Sequence, residues 1–432
     1  MLIFPLLILF LFKTHFTSCF LHEIRLPKNL TSISTLINPS LFYTLPISIG
    51  TPPQTFNVII ATGSSSLLIA DSTSNLNTTN KYDASKSETS NNTNQIQFFP
   101  FFDLSLSYGN IYTDTISIAS NFTTASFPFA SLIYGTFNPL TINDGILGMN
   151  QNNTNIISLL KNNSVITQNI FSLYDPETSD DTSFMYIGDI HPNFTHENNS
   201  TIALCNVIEN NESYWKCNAS HIIITNDKVT SKTISANQSV FEFKEEVIFD
   251  SGSNAFMFPH KYEQQFINKL NSTNCKVEIA NKDIEYITCN KENISDIHIV
   301  INDYALKIKK ENIWEPIEDD KGNVVYGLNM FFSKKEKNVI IGMQMFKGYH
   351  VLFNKENHKV MFYTHNEHFI VKTKNHISLL LVVLLSIGGV LIILTEIVLL
   401  YYFLCKNKSN LKSSEIIIND LDSEPQLLIE KS

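Results

Sequence analysis

Two stretches decide the fold: Val58-Ile-Ile-Ala-Thr-Gly-Ser64 and Val247-Ile-Phe-Asp-Ser-Gly-Ser253. Each runs from β-branched or aromatic residues into a turn of small residues, the pattern of a buried strand that ends at a tight loop. A second motif follows each of them roughly ninety residues downstream, Ile146-Leu147-Gly148 after the first and Ile340-Ile341-Gly342 after the second. Two independent motifs that recur in the same order at nearly equal spacing predict a duplicated lobe.

Around these motifs, from Pro46 to Tyr363, the chain reads as short alternating or β-branched runs separated by Asn, Ser, Asp and Gly clusters. Examples are Phe56-Asn-Val-Ile-Ile60, Leu104-Ser-Leu-Ser-Tyr108, His221-Ile-Ile-Ile-Thr225 and Ile297-His-Ile-Val-Ile301. This is an all-β pattern. One helix is expected over Lys261–Leu270, after Pro259.

A strand ending in Asp-Ser/Thr-Gly-Ser/Thr, followed by an aliphatic-aliphatic-Gly strand, resembles one lobe of a pepsin-like aspartic peptidase. Ile49-Gly-Thr-Pro-Pro-Gln54, Asp144-Gly-Ile-Leu-Gly148, Tyr214-Trp215, Val351-Leu-Phe-Asn354 and Asn357-His-Lys-Val360 extend the likeness over about residues 40–365. The resemblance implies a bilobal fold of two related β lobes, 38–195 and 196–365, with a cleft between them. It places Tyr108 and Gly109 at the flap, and Gly63, Ser64, Gly252 and Ser253 along the substrate path. It further implies that Thr62 and Ser251 bridge the lobes and that Cys275 pairs with Cys289. Cys205 and Cys217 then remain for each other, across what looks like a hairpin.

The family's hydrolysis needs two nearby carboxylates that share one proton, one activating water and the other holding the scissile carbonyl. Asp250 fits the second of these positions. The first is Ala61, whose methyl group neither gives nor accepts a proton. Other departures agree: Leu68 stands where the family has tryptophan, the flap Tyr108–Ile116 is short, Met343 follows Gly342, and Phe20–Ile37 is too brief for an inhibitory prosegment. The expected function is therefore a catalytically inactive homologue that binds a peptide or protein ligand in its cleft. The alternatives are an active endopeptidase that works at acidic pH through Asp250, and a structural protein with a vestigial cleft.

The chain has 432 residues, 43% of them hydrophobic and 17% charged, with a net charge of -10. That balance argues against nucleic-acid binding. With a single arginine, Arg25, and abundant Asn, Lys and Ile, the composition is biased, so Asn runs are discounted as functional evidence. Residues 1–19 read as a signal peptide, an uncleaved anchor being the alternative. Residues 20–37 form a short N-terminal segment and 366–376 a stalk. The apolar run Ile377–Leu404 would make about 42 Å of helix, against a hydrocarbon core of about 30 Å. Its Glu396 falls toward the inner interface, and 405–432 form a cytosolic tail in which Glu424-Pro-Gln-Leu-Leu428-Ile429 resembles a dileucine sorting signal. The expected topology is a type I single-pass monomer of the secretory, endolysosomal or cell-surface membrane.

Of six cysteines, Cys19 and Cys405 flank the lumenal part, leaving four that predict two disulfides, with three connectivities open from spacing alone. None shows a Cys-x-x-Cys spacing, so neither a metal nor another cofactor is expected. Asn29, Asn121, Asn218, Asn237, Asn271 and Asn293 begin glycosylation sequons.

Overall fold

The computed structural model describes residues 22–26, 42–102, 104–118, 122–136, 143–177, 183–188, 201–225, 229, 240–270, 274–291, 294–319, 321–366, 369–372 and 392–403. Among these, the strands form three sheets. The chain divides into two compact units, Met1–Thr373 and Lys374–Ser432.

In the first lobe, strand Gln54–Ala61 lies between Thr44–Ile49 and Gly145–Gly148 in a seven-stranded sheet. Its last residues run parallel to the aliphatic-Gly strand, Val58 opposite Gly145 and Ala61 opposite Gly148. In the second lobe, Val240–Phe249 runs parallel to Val339–Ile341, with Val247 opposite Val339 and Phe249 opposite Ile341. Both central strands are fully buried at this point, which explains why they read as continuous apolar runs rather than alternations. The next strand of each lobe, Leu67–Ala70 or Phe256–Pro259, then pairs antiparallel to the same aliphatic-Gly strand. The duplicated lobe predicted from the two motifs is thus present in the strand pairing itself.

A six-stranded sheet joins the halves. In it, Ile170–Asp175 and Ser183–Ile187 from the first half meet Tyr349–Asn354, Lys359–Thr364 and Thr201–Asn206 from the second. One continuous apolar core spans both lobes, and Trp215 sits within it, fully buried, its Nε1 donating to the carbonyl of Met149 at 2.9 Å. The helix expected at Lys261–Leu270 begins as a 3-10 turn, His260–Tyr262, and continues as Glu263–Lys269.

Both disulfides form, Cys275–Cys289 and Cys205–Cys217. The first joins directly opposed residues of an antiparallel pair. The second corrects an expectation, because its cysteines are not hairpin mates. Cys205 lies on Thr201–Asn206 of the shared sheet, and Cys217 lies on Lys216–Ile224 of the second-lobe sheet. The chain between them leaves one sheet and enters another, so this bond staples sheet to sheet.

In the second unit, residues 392–403 are helical with exposed side chains. Among the described residues, no helix is long and apolar enough to cross a membrane. Most of the expected span 377–404, the signal peptide 1–19 and the tail 405–432 lie outside the described residues. So do Cys19, Cys405 and every sequon asparagine quoted above except Asn218, which is exposed.

Candidate functional site

The two Gly-containing loops meet back to back at the base of the cleft. Ala61 and Asp250 each end a central strand, and each carbonyl then accepts the amide three residues on, from Ser64 and Ser253, both at 3.2 Å. Thr62 and Ser251 fill the centre, with no measurable exposure. Thr62 Oγ1 donates to the Phe249 carbonyl at 2.8 Å and accepts the Ser251 amide at 2.9 Å. Reciprocally, Ser251 Oγ donates to the Ile60 carbonyl at 2.7 Å and accepts the Thr62 amide at 3.2 Å. Two hydroxyls thereby satisfy four buried backbone groups, each of which would cost about 1–3 kcal/mol if left unpaired. Both residues hydrogen-bond across the two loops.

The glycines are required by close approach. A Cβ on Gly63 would stand 2.5 Å from the Asp250 carboxyl carbon, and one on Gly252 would stand 2.5 Å from the Ala61 methyl. Each loop therefore backs onto the other lobe's 61 or 250 side chain. This cross-lobe relation puts Asp250 and Ala61 side by side.

Hydrogen bonding shows what the methyl changes. Asp250 Oδ1 accepts the amide of its own Gly252 at 2.8 Å. By the internal pseudo-symmetry, the Gly63 amide would serve a carboxylate at position 61. Ala61 has none, and the Gly63 amide goes to Asp250 Oδ1 instead, at 2.9 Å. One oxygen holds both loops. Asp250 is only 7% exposed, and burial pushes its pKa above the usual carboxylate value, with the two glycine amides pulling the other way.

Above this pair lies a cavity of about 360 Å³, walled by both lobes. Ala61, Gly63, Ser64, Asp250, Gly252 and Ser253 line it. Ala61 belongs to an apolar cluster with Phe42, Ile59, Leu68 and Ile146, against which Phe99 and Phe101 pack. Leu68 therefore occupies apolar wall where a tryptophan was expected.

The flap is built differently from the sequence reading. Its hairpin pairs Asn91–Pro100 with Leu106–Ile118, and the chain reverses between Pro100 and Leu106. Tyr108 lies on the returning strand, outside the cavity lining, stacked on Tyr134 with ring centroids 5.5 Å apart. Gly109 is pressed against the backbone of Ser131 and Leu132. The residues that roof the cavity are Phe98–Phe102, and Phe102 reaches across to Tyr214 of the second lobe, 5.7 Å between centroids. The signal that could have found them is the run Phe98-Phe-Pro-Phe-Phe102 itself, four aromatics around one proline.

A family model described as eukaryotic aspartyl protease matches residues 42–364. The chain belongs to this family. Among curated relatives, pepsin A of Gallus gallus is 26% identical over 326 residues, covering 73% of this chain and 82% of that protein. Secreted aspartic protease 3 of Candida albicans is 22% identical over 344 residues, 75% of this chain and 80% of the relative. Pepsin A of Suncus murinus is 28% identical over a shorter stretch, 200 residues, or 43% and 47% of the two chains. The protein is thus a pepsin-like aspartic peptidase homologue with a mostly β structure and two disulfides.

Away from the cleft, His260, Glu263 and Glu285 bring three metal-capable atoms together. Burial and a hydrogen bond with Glu285 push the Glu263 carboxyl up, while the Glu263 hydrogen bond and Lys334 draw Glu285 down to about 2. His260 pairs with both carboxylates and Lys334 with Glu285, so the cluster reads as an ion-pair network and we assign it no metal.

Proposed function

We propose that this family member is catalytically inactive and acts as a membrane-anchored peptide-binding module. The single observation that carries the reading is Ala61 beside Asp250. Hydrolysis in this family requires two acids sharing a proton, and removing one positioned acid–base group typically costs roughly 10²–10⁴ in rate, more where the groups act as a unit. Among the described cavity-lining residues, the only other carboxylate is Glu212, which belongs to neither Gly loop.

The cavity that remains supports a binding role over a vestigial one. About 360 Å³ stays open above Asp250, between walls of mixed apolar and polar side chains and under an aromatic roof. An extended peptide could lie there and use backbone hydrogen bonds as strands do. Anchoring rests on the 377–404 apolar run together with the leader-like residues 1–19, which support a type I single span.

The test is to purify the chain in detergent beside an Ala61→Asp variant and assay both on mixed peptides from about pH 4 to 6.5. Inactive wild type with a cleaving variant is the expected result. Cleavage by wild type that Asp250→Asn abolishes would reverse the reading and make the chain an endopeptidase. If neither cuts, the altered flap and Leu68 have disabled the cleft as well.

A further inference from the structure

The two oxygens of Asp250 are unequal. Oδ1 accepts two glycine amides, at 2.8 and 2.9 Å, and its capacity is filled. No group among the described residues donates to Oδ2, although the residue is only 7% exposed and lines the cavity. A buried carboxylate with an idle oxygen costs free energy until something donates to it or brings opposite charge.

No group in the described wall brings opposite charge. The charged residues lining the cavity are Asp250 and Glu212, both acidic, with no lysine, arginine or histidine among them. Tyr214 registers the resulting field: its hydroxyl is held above its ordinary pKa by burial first and then by the charges of Glu212, Asp250 and Glu336. Neutral polar side chains, among them Ser64, Asn150, Ser253 and Asn254, share the wall with apolar and aromatic surface that includes the Ala61 cluster and a second patch of Ala255, Met257, Ile284 and Phe331 on which Phe102 packs.

We propose that the cleft selects peptides that carry a lysine or arginine between bulky apolar residues, the cationic side chain donating to Oδ2 of Asp250. This rests on the peptide-binding reading above and adds the ligand's chemistry. The cation stands where a second acid and its shared proton would stand, and a charge-assisted hydrogen bond is stronger than a neutral one. A hydroxyl or amide donor would satisfy the oxygen while leaving the charge uncompensated. The apolar flanks fill the space between Phe99, Phe101, Met257 and Phe331.

The experiment uses the full chain in detergent and fluorescent peptides in which a central residue between Phe and Leu is lysine, norleucine or glutamate, with anisotropy read near neutral pH. Norleucine keeps the aliphatic stem and removes the charge. The expected result is at least a tenfold preference for lysine over norleucine, glutamate weakest of all, and a preference that Asp250→Asn levels. Asparagine keeps an acceptor for both glycine amides, and near-UV circular dichroism checks that the variant is folded. Equal binding of lysine and norleucine peptides would overturn the cation inference and leave the module standing. A lysine preference that survives Asp250→Asn would overturn it too, shifting recognition to Glu212. Failure of every peptide to bind would bring down the module reading and this inference together.

Discussion

The Gly63 amide donates to Asp250 Oδ1 at 2.9 Å, across 187 residues of chain and across the boundary between two lobes. The same approach leaves no room at position 63. Gly63→Ala would place a methyl 2.5 Å from the Asp250 carboxyl carbon and 2.6 Å from its Oδ2. We expect a loss of about 1–3 kcal/mol in chemical denaturation, typical of overpacking. Unchanged stability would mean that the two loops part more easily than their hydrogen bonds indicate.

Thr62→Ala removes one hydroxyl that serves the Phe249 carbonyl and the Ser251 amide, both buried. A loss of about 2–4 kcal/mol is expected, as is a similar loss for Ser251→Ala. Because the hydroxyls serve one network, the double variant should lose less than the sum of the two. Strict additivity in a double-mutant cycle would show that the lobes are held elsewhere.

Asp250→Asn tests the burial of the lone acid. The folded-state pKa of Asp250 is raised above 3.8, so the stability this group contributes is fully present below that pH and lost as pH rises through the folded value. The variant does not titrate there. Its melting temperature should match wild type below about pH 3.8 and exceed it at neutral pH, the gap opening between those limits. A gap that narrows with rising pH would contradict the assignment.

Phe102→Ala loosens the roof. Phe102 packs on Tyr214 and on the Met257–Phe331 patch, which holds the hairpin tip down on the second lobe. Limited proteolysis should cut the variant between Phe98 and Leu106 several-fold faster than wild type, with little change in global melting. Equal cleavage rates would show that this contact does not hold the tip closed.

Much of this was legible in the sequence, and what escaped did so for physical reasons. The two strand-loop motifs single out Ala61, Asp250, Thr62 and Ser251, and the structure brings these four together, since their partners are set by a duplication the sequence displays. Tyr108 was misplaced relative to the cleft because a hairpin's register depends on where the chain reverses. Leu104-Ser-Leu-Ser-Tyr108 reads as a strand in either register, whereas Leu104 lies in the turn, where Phe101 bonds Leu104 and Ser105 through the backbone, and the returning strand begins at Leu106. Cys205 and Cys217 looked like hairpin mates because they are near in sequence, whereas pairing with Lys359–Thr364 draws Cys205 into a different sheet. Nor does any local pattern announce that one oxygen of Asp250 takes over a hydrogen bond whose natural acceptor is missing.

The sheet shared by the two halves also governs how this chain can be made. Ile170–Asp175 is synthesised early, yet its partner Tyr349–Asn354 emerges from the ribosome almost two hundred residues later. Until then the growing polypeptide carries an unfinished strand edge, a surface open to mispairing. Synthesis must therefore deliver nearly the whole body before the shared sheet can close, and a transcript that stops between the lobes would yield a sticky fragment rather than a smaller working protein.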